Sequence, residues 1–281
     1  MYLSLVVGLG FIVNRLHLFL ENPLGGFAVS EGIIFGPAWV MSKLERRPMA
    51  VYGLPGRGAF GKLFLLGWFA GLVEVSALIG FLKILHIYSF GALVLHRADL
   101  IKWTLMFLGI FFEKALFYQF LIRGYSQFTL GEGIGFWSAS ELLCALSVWS
   151  YLPSGNTDLI GLPVLFVVGL FWSLTLRRTG SLWFAIGMNA SFDVGGTFLY
   201  SMPNLGFGFP FDVHLSNPTV HGPAWLTGGT LGIEGSFLRL LSMAIFVSLL
   251  NRFYPAREDA TSLRKYVVER RELAAPPRPL G

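Results

Sequence analysis

The stretch RRTGSLWFAIGMNASFDVGG, residues 177–196, decides how the chain is built. Two arginines and a Gly-Ser break come before an apolar segment of the kind that forms a membrane helix. Two polar side chains, Asn189 and Asp193, interrupt that segment four residues apart. Because positions i and i+4 share one face of a helix, the stretch predicts a membrane helix whose polar face meets protein or water rather than lipid.

The composition of the whole chain supports this reading. Of its 281 residues, 54% are hydrophobic and only 13% are charged, and the mean hydropathy is +0.64. Soluble domains carry about a quarter charged residues, so this chain cannot cover a surface that faces water. We therefore expect an all-α fold, a polytopic bundle of membrane helices.

The number of membrane spans follows from segment length. A helix needs about 20 apolar residues to cross the hydrocarbon core, which is about 30 Å thick. A helix suits this environment because it pairs its own backbone groups. On this basis we expect about eight transmembrane helices, forming one domain over residues 1–250 and followed by a basic cytoplasmic tail, 251–281. The predicted spans are 2–20, 26–42, 61–85, 101–122, 133–152, 159–176, 181–201 and 229–250.

The basic residues indicate how the chain is oriented in the membrane and which molecules it contacts there. They concentrate in the 43–62 loop, at Arg123, at the Arg177–Arg178 pair and after residue 250. The positive-inside rule then places both termini in the cytoplasm, and we expect a bacterial inner membrane protein. The net charge of +5 fits contact with anionic membrane lipids, and no nucleic-acid partner is expected. The single cysteine, Cys144, allows no intrachain disulfide.

Several charged side chains fall within or near the predicted spans, where they are costly. Lys83 and Arg239 are expected to reach toward a membrane interface. Glu74 and Glu141 fit either interhelical hydrogen bonds or a functional role. Four polar or charged residues have no simple structural explanation, and these are Glu113, Lys114, Asn189 and Asp193.

Several motifs are spread along the chain, and RTGSLW with its flanks is the most specific. The motifs are LERRPMAVYGLP (44–55), FFEKALFYQFL (111–121), LGEGIGFWSASELLCAL (130–146), the segment 166–203 and GPAWLTGGTLGIEGS (222–236). Through these motifs the chain resembles, over residues of about 40–250, the CAAX-protease and bacteriocin-processing group of intramembrane metalloproteases. The resemblance implies about eight helices and a metal-dependent endopeptidase site.

The family's site needs paired glutamates followed by an arginine, a histidine in the next helix, and a second histidine with Asn or Asp four residues later. In this chain Glu113 matches the first glutamate, and Lys114 stands where the second belongs. The remaining positions of the motif fall on Tyr118 (arginine), Val148 or, one register away, Ser147 (first histidine), Asn189 (second histidine) and Asp193 (the residue four later).

These replacements change the expected chemistry. Catalytic zinc is held by three protein ligands, mostly imidazole and carboxylate. Here only Glu113, Asn189 and Asp193 could serve, with the Lys114 ammonium opposing a cation, so we expect no bound metal and no other cofactor. A buried Lys114 is expected to form an ion pair with Asp193 or Glu141 instead. All the histidines lie outside the motifs, at His17, His86, His96, His214 and His221.

Three functions stay open at this point. The favoured one is a non-catalytic relative of the proteases, an accessory or assembly subunit that binds other membrane-protein subunits. The alternative is an active endopeptidase that cleaves a peptide substrate with Glu113, Asp193 and zinc or another divalent metal. A carrier ranks last because the chain shows no internal repeat of the kind common in carriers. The residues that suggest a carrier are Glu74, Lys83, Glu113 and Glu141.

Overall fold

The computed structural model describes residues 23–152, 159–202 and 213–255. The predicted span 2–20, with His17, lies outside the described residues, as does almost all of the predicted tail 251–281. Most of the described residues are helical, which confirms the all-α prediction.

The α-helices are numbered here in chain order. They are α1 Pro23–Leu44, α2 Lys62–Ile84, α3 Arg97–Arg123, α4 Tyr125–Ile134, α5 Phe136–Trp149, α6 Leu162–Thr179, α7 Trp183–Asp193, α8 Ala224–Thr227 and α9 Leu238–Phe253. A π-helical turn, Val194–Leu199, continues α7. Short 3₁₀ turns occur at Met49–Tyr52, Gly56–Gly58, Leu159–Gly161 and Gly229–Gly235.

Four helical segments within the described residues are long and apolar enough to cross a membrane. These segments are Lys62–Ile84, Asp99–Ile134, Leu159–Thr179 and Gly229–Phe253. They match four of the predicted spans, 61–85, 101–122, 159–176 and 229–250. The predicted total of about eight spans is not confirmed by these four and stays a prediction.

The counterparts of the other predicted spans differ in length and continuity. The 133–152 segment contains α5, an apolar helix of 14 residues. The 181–201 segment is built in two pieces, because α7 is only 11 residues long and changes to π-helical geometry after Asp193. The 26–42 segment lies within α1, a continuous helix of 22 residues that contains Pro37.

Large apolar side chains cover the outside of the candidate spans. Phe69 on α2 is 68% exposed, Leu105 on α3 is 65% exposed and Leu241 on α9 is 66% exposed. Water would oppose such a surface, whereas lipid tails accept it. The apolar helices together with this surface indicate an integral membrane protein.

Helices α2 and α7 pack with their backbones in close contact. A Cβ atom placed on Gly67 would lie 2.1 Å from the carbonyl oxygen of Phe184, and one on Gly71 would lie 2.3 Å from that of Met188. On the α7 side, a Cβ on Gly187 would lie 2.3 Å from the carbonyl oxygen of Phe64. Small residues four apart allow this approach in membrane helices. The contact fixes α7, and with it Asn189 and Asp193, in the centre of the bundle.

One end of the bundle carries the only strands of the described residues, which are β1 Tyr88–Ser89 and β2 Thr219–Val220. They pair antiparallel, with Tyr88 opposite Val220. This ladder joins the connection after α2 to the connection before α8. The two connections therefore lie at the same end of the bundle.

The opposite end gathers the segments that the sequence analysis marked as basic. Arg47 forms an ion pair with Glu132 at 2.9 Å, which ties the 45–61 loop to α4. The backbone N–H of Leu182 donates to the carbonyl of Gly53 at 2.8 Å. Arg178 donates to Asn251 Oδ1 at 2.8 Å. The loop before α2, the turn before α7 and the end of α9 therefore lie together.

Candidate functional site

A small polar cavity lies among α3, α5, α6 and α7, closed on one side by the Gly229–Gly235 turn and the start of α9. Its volume is about 80 Å³, which is enough for several water molecules. It is lined by Lys114, Tyr118, Gln119, Arg123, Cys144, Ser147, Val148, Tyr151, Leu165, Val168, Gly169, Trp172, Asn189, Asp193, Glu234 and Arg239. The cavity thus collects most of the residues that the family motifs predicted.

The polar pair on α7 faces this cavity as the i, i+4 spacing predicts. Asn189 Nδ2 donates to Asp193 Oδ2 at 3.2 Å. The Asp193 side chain is almost fully buried, at 4% exposure. Asp193 is also the last residue before the π-helical turn, a local geometry that is frequent at functional sites.

Lys114 neutralises the carboxylate of Asp193. Its Nζ lies 3.1 Å from Asp193 Oδ2 and 3.6 Å from Glu234 Oε1. The ammonium also lies over the ring of Phe111, 5.5 Å from the ring centre. The predicted ion pair of Lys114 with Asp193 is therefore present. Glu141, the other partner considered for Lys114, is an exposed side chain on α5.

Glu234 is a site residue that the sequence reasoning missed. It lies in the Gly229–Gly235 turn before α9, and its carboxyl group is within hydrogen-bonding range of that of Asp193. The signal was present in the sequence, because a carboxylate within the predicted span 229–250 is costly unless it has a partner. The interruption of that span by Gly232, which has a φ of 63°, could not be seen from the apolar pattern.

Glu113 does not line the cavity. It is next to Lys114 on α3, so its side chain points about 100° away from that of Lys114. It is half-buried and lies close enough to Glu31 of α1 for the two charges to interact. The structure therefore separates Glu113 from Asn189 and Asp193, the other two residues that could have held a metal.

The remaining motif positions are in the cavity wall. Tyr118 and Val148 line it from α3 and α5, and so does Ser147, the other register considered for the first histidine. Tyr118 is also within hydrogen-bonding range of Tyr151. The described histidines, His86, His96, His214 and His221, are exposed and do not line the cavity.

The zinc ion that the family resemblance implies does not fit these residues. Within the described ranges, no group of three or more His, Cys, Asp or Glu side chains is placed to hold a metal ion. The two carboxylates of the cavity, Asp193 and Glu234, already have the Lys114 ammonium between 3.1 and 3.6 Å away. A divalent cation would meet a positive charge where it needs a third ligand.

Arg239 forms a second buried ion pair beside the cavity. Its Nε lies 3.2 Å from Glu74 Oε1, and Ser242 donates to the same oxygen at 2.7 Å. Its guanidinium stacks on Phe192, 3.8 Å from the ring centre. The expectation that Arg239 reaches toward an interface is wrong, because a buried carboxylate on α2 holds it inside. Glu74 has the interhelical bond that the sequence analysis considered, while Lys83 is exposed near the end of α2.

Arg123 lines the same cavity although it lies outside the family motif. The side chain is 5% exposed at the end of α3. It donates to Gln119 Oε1 at 3.1 Å and to the carbonyl of Gly169 at 2.8 Å, and its Nη2 lies 3.7 Å from Cys144 Sγ. The positive-inside pattern counts Arg123 among the basic residues of one membrane side, and the structure buries its side chain in the cavity wall.

Comparison with known proteins gives one match. The family model described as Type II CAAX prenyl endopeptidase Rce1-like matches residues 100–195. The matched segment runs from the start of α3 to the π-helical turn, so it contains Lys114, Asn189 and Asp193. It confirms over this third of the chain the resemblance that the motifs indicated. No curated protein and no solved structure matches the chain.

Proposed function

We propose that this membrane protein, similar over residues 100–195 to the CAAX prenyl endopeptidases, is a non-catalytic relative of those enzymes. It retains the helix bundle of the family, and an internal ion pair takes the place of the metal. It acts by binding other membrane-protein subunits, as an accessory or assembly factor. Both termini face the cytoplasm of a bacterial cell, and lipids of the inner membrane surround the bundle.

The observation that carries the proposal is the position of Lys114. Its ammonium contacts both Asp193 and Glu234, the two acidic groups of the cavity. A side chain binds a metal ion in its deprotonated form, and it must first be released from any ion pair. A metal would have to displace the ammonium, leave that charge buried, and then accept an amide at Asn189 in place of an imidazole.

Two features support the binding role. Exposed aromatic and aliphatic side chains such as Trp39, Phe69 and Leu241 offer a surface for helices of another protein as well as for lipid. The close α2–α7 contact and the contacts of the 45–61 loop hold the helices around the cavity in place. A binding protein needs this folded bundle but does not need the catalytic ligands.

Metal content tests the non-catalytic proposal directly. The full chain, purified in detergent, is expected to contain zinc, manganese and other divalent metals at well below one per protein by mass spectrometry. The double variant Lys114→Glu, Asn189→His supplies a carboxylate and an imidazole beside Asp193 and Glu234, so we expect it to gain zinc. Lys114→Met is the control, because it removes the ammonium and adds no ligand. Stoichiometric zinc in the unchanged protein would overturn the proposal.

The active endopeptidase is the second candidate, and one observation favours it. Asp193 and Glu234 place two carboxyl groups side by side in a cavity large enough for water, and paired carboxyl groups can activate water. A peptide-cleavage assay on the full chain in detergent, with Glu234→Gln and Glu113→Ala as variants, tests it. Turnover that either substitution abolishes would replace the non-catalytic proposal, and we expect none.

The partner is tested in native membranes. The tagged chain, extracted in mild detergent without crosslinking, is expected to purify with one or more membrane proteins in fixed stoichiometry. Migration of the chain as a lone protomer, in several detergents and at native expression, would count against an accessory role.

A further inference from the structure

Arg123 is a buried cation that the ion pairs of the cavity leave unmatched. Lys114 is paired with Asp193 and Glu234, and Arg239 is paired with Glu74. Within the described residues, the side-chain and backbone groups that Arg123 bonds are all uncharged: an amide, a carbonyl and a thiol. Its Nε is buried without a hydrogen-bond partner. Removing a charge from water costs several kcal/mol unless an opposite charge is near.

Close contacts hold the Arg123 side chain in this position. Gly169 allows the contact, because a Cβ there would lie 3.2 Å from Arg123 Nη2 and 2.8 Å from Cys144 Sγ. Gln119, one turn earlier on α3, is 1% exposed and orients the other terminal nitrogen. The guanidinium is thus fixed at the cavity wall, and it cannot turn outward to water.

We infer that the cavity beside Arg123 binds a monovalent carboxylate. The planar guanidinium, with its N–H donors in a fixed fork, matches the geometry of a carboxylate. A volume of about 80 Å³ admits a group of a few heavy atoms. The Ser147 side chain and the rings of Tyr151 and Trp172 complete the wall. Lys114 offsets one of the two acidic charges of Asp193 and Glu234. Arg123 lies nine residues after Lys114 on α3, which is about 13 Å along the helix, so an anion at Arg123 is separated from those carboxylates.

The carboxylate could belong to a free small acid or to the end of a longer chain, and both sources present the same group to Arg123. Acetate is the probe for the first source. Octanoate, and a short peptide with a free or an amidated C-terminus, are the probes for the second. The site does not depend on whether the protein is catalytic, so metal content measured on the same samples separates a failure of this inference from a failure of the proposed function.

The test is thermal unfolding of the full chain in detergent, with increasing acetate at constant ionic strength. We expect the Tm to rise and saturate for the unchanged protein and for Lys62→Gln, a control that removes an exposed cation at the start of α2. The rise is expected to be absent in Arg123→Gln, and to need at least ten times more acetate in Arg123→Lys. If octanoate or the free-terminus peptide raises the Tm at a lower concentration than acetate does, the carboxylate belongs to a chain end.

A second variant keeps the inference testable if Arg123→Gln does not fold. Ser147→Leu fills the cavity from α5 and leaves the guanidinium in place, so the acetate effect should disappear while the fold persists. A Tm that rises with acetate equally in the unchanged protein, in Ser147→Leu and in Arg123→Lys, or that does not respond at all, would overturn the inference.

Discussion

The ammonium of Lys114 on α3 lies 3.1 Å from the carboxylate of Asp193 on α7. Both side chains are at least 93% buried. Two residues that are 79 positions apart in the sequence therefore form one neutral unit in the middle of the bundle. This contact holds the two helices together.

Breaking this pair from one side is expected to be costly. Lys114→Met leaves Asp193 and Glu234 without a cation, and Asp193→Asn removes the carboxylate nearest to Lys114. Removing one partner of a buried pair costs about 3–5 kcal/mol. The double variant should lose less than the sum of the two single losses, because it leaves fewer unpaired charges. Denaturant unfolding in mixed micelles measures all three.

The exposed carboxylate Glu141 provides the control for that cycle. Glu141→Gln should change the free energy of unfolding by about 0.5 kcal/mol or less, as for most surface substitutions. Strict additivity of the Lys114 and Asp193 effects would mean that the two side chains do not interact.

Glycines on α2 should respond to alanine with opposite signs. At Gly71 a Cβ would lie 2.2 Å from Ser191 Oγ and 2.3 Å from the carbonyl oxygen of Met188. The α7 backbone cannot yield easily, so Gly71→Ala should destabilise the protein by about 1–3 kcal/mol. At Gly80 a Cβ meets nothing within 4 Å, so Gly80→Ala should stabilise by about 0.5–1 kcal/mol through helix propensity. Equal effects at both positions would argue against the close α2–α7 contact.

Tyr52 should make the 45–61 loop sensitive to alkaline pH. Its hydroxyl donates to Glu45 Oε2 at 3.2 Å, and Tyr125 donates to Glu45 Oε1 at 2.5 Å. Burial, and then the charge of Glu45, raise the pKa of Tyr52 above its ordinary value of 10.0. A raised pKa in the folded state means that this stabilisation is complete below pH of about 10 and is lost above it, as the unfolded chain ionises first.

The comparison with Tyr52→Phe isolates this effect. The variant loses a hydrogen bond to a charged acceptor, so it should be less stable near pH 7 by up to about 1.5–3 kcal/mol. Its stability should then fall less steeply than that of the unchanged protein between pH of about 9 and 11. Tyr254→Phe, just after the end of α9, is the control variant and should keep the steeper fall. Unfolding curves across this pH range decide the matter, and parallel curves for all three proteins would contradict it.

The proposed orientation can be read from cysteine labelling. In a Cys144→Ser background, Lys62→Cys lies at the end of the bundle with the basic segments, and His221→Cys lies beside the strand pair. With the basic end in the cytoplasm, a membrane-impermeant maleimide added to intact cells should label only His221→Cys. Broken cells should label both. Labelling of Lys62→Cys alone in intact cells would reverse the orientation.

Local pattern was enough to predict the apolar helices and the shared helix face of Asn189 and Asp193. A membrane helix must be apolar and about 20 residues long, and an i, i+4 pair shares a face in any helix. For the same reason the family resemblance could be read from motifs. Charge alone gave Lys114 two possible partners, Asp193 and Glu141, and the packing of the helices selected Asp193. These are properties of a short segment, and a segment carries them wherever it folds.

Tertiary structure decided the rest. Glu113 was a candidate metal ligand by sequence. Neighbouring side chains on α3 point about 100° apart, so Lys114 lines the cavity while Glu113 lies near Glu31. Glu234, Arg123 and Arg239 reach the cavity from helix ends that no periodicity relates to the motif. Charges in a membrane interior are tolerated only with their neighbours in place, and which neighbours meet depends on how the helices pack across the whole chain.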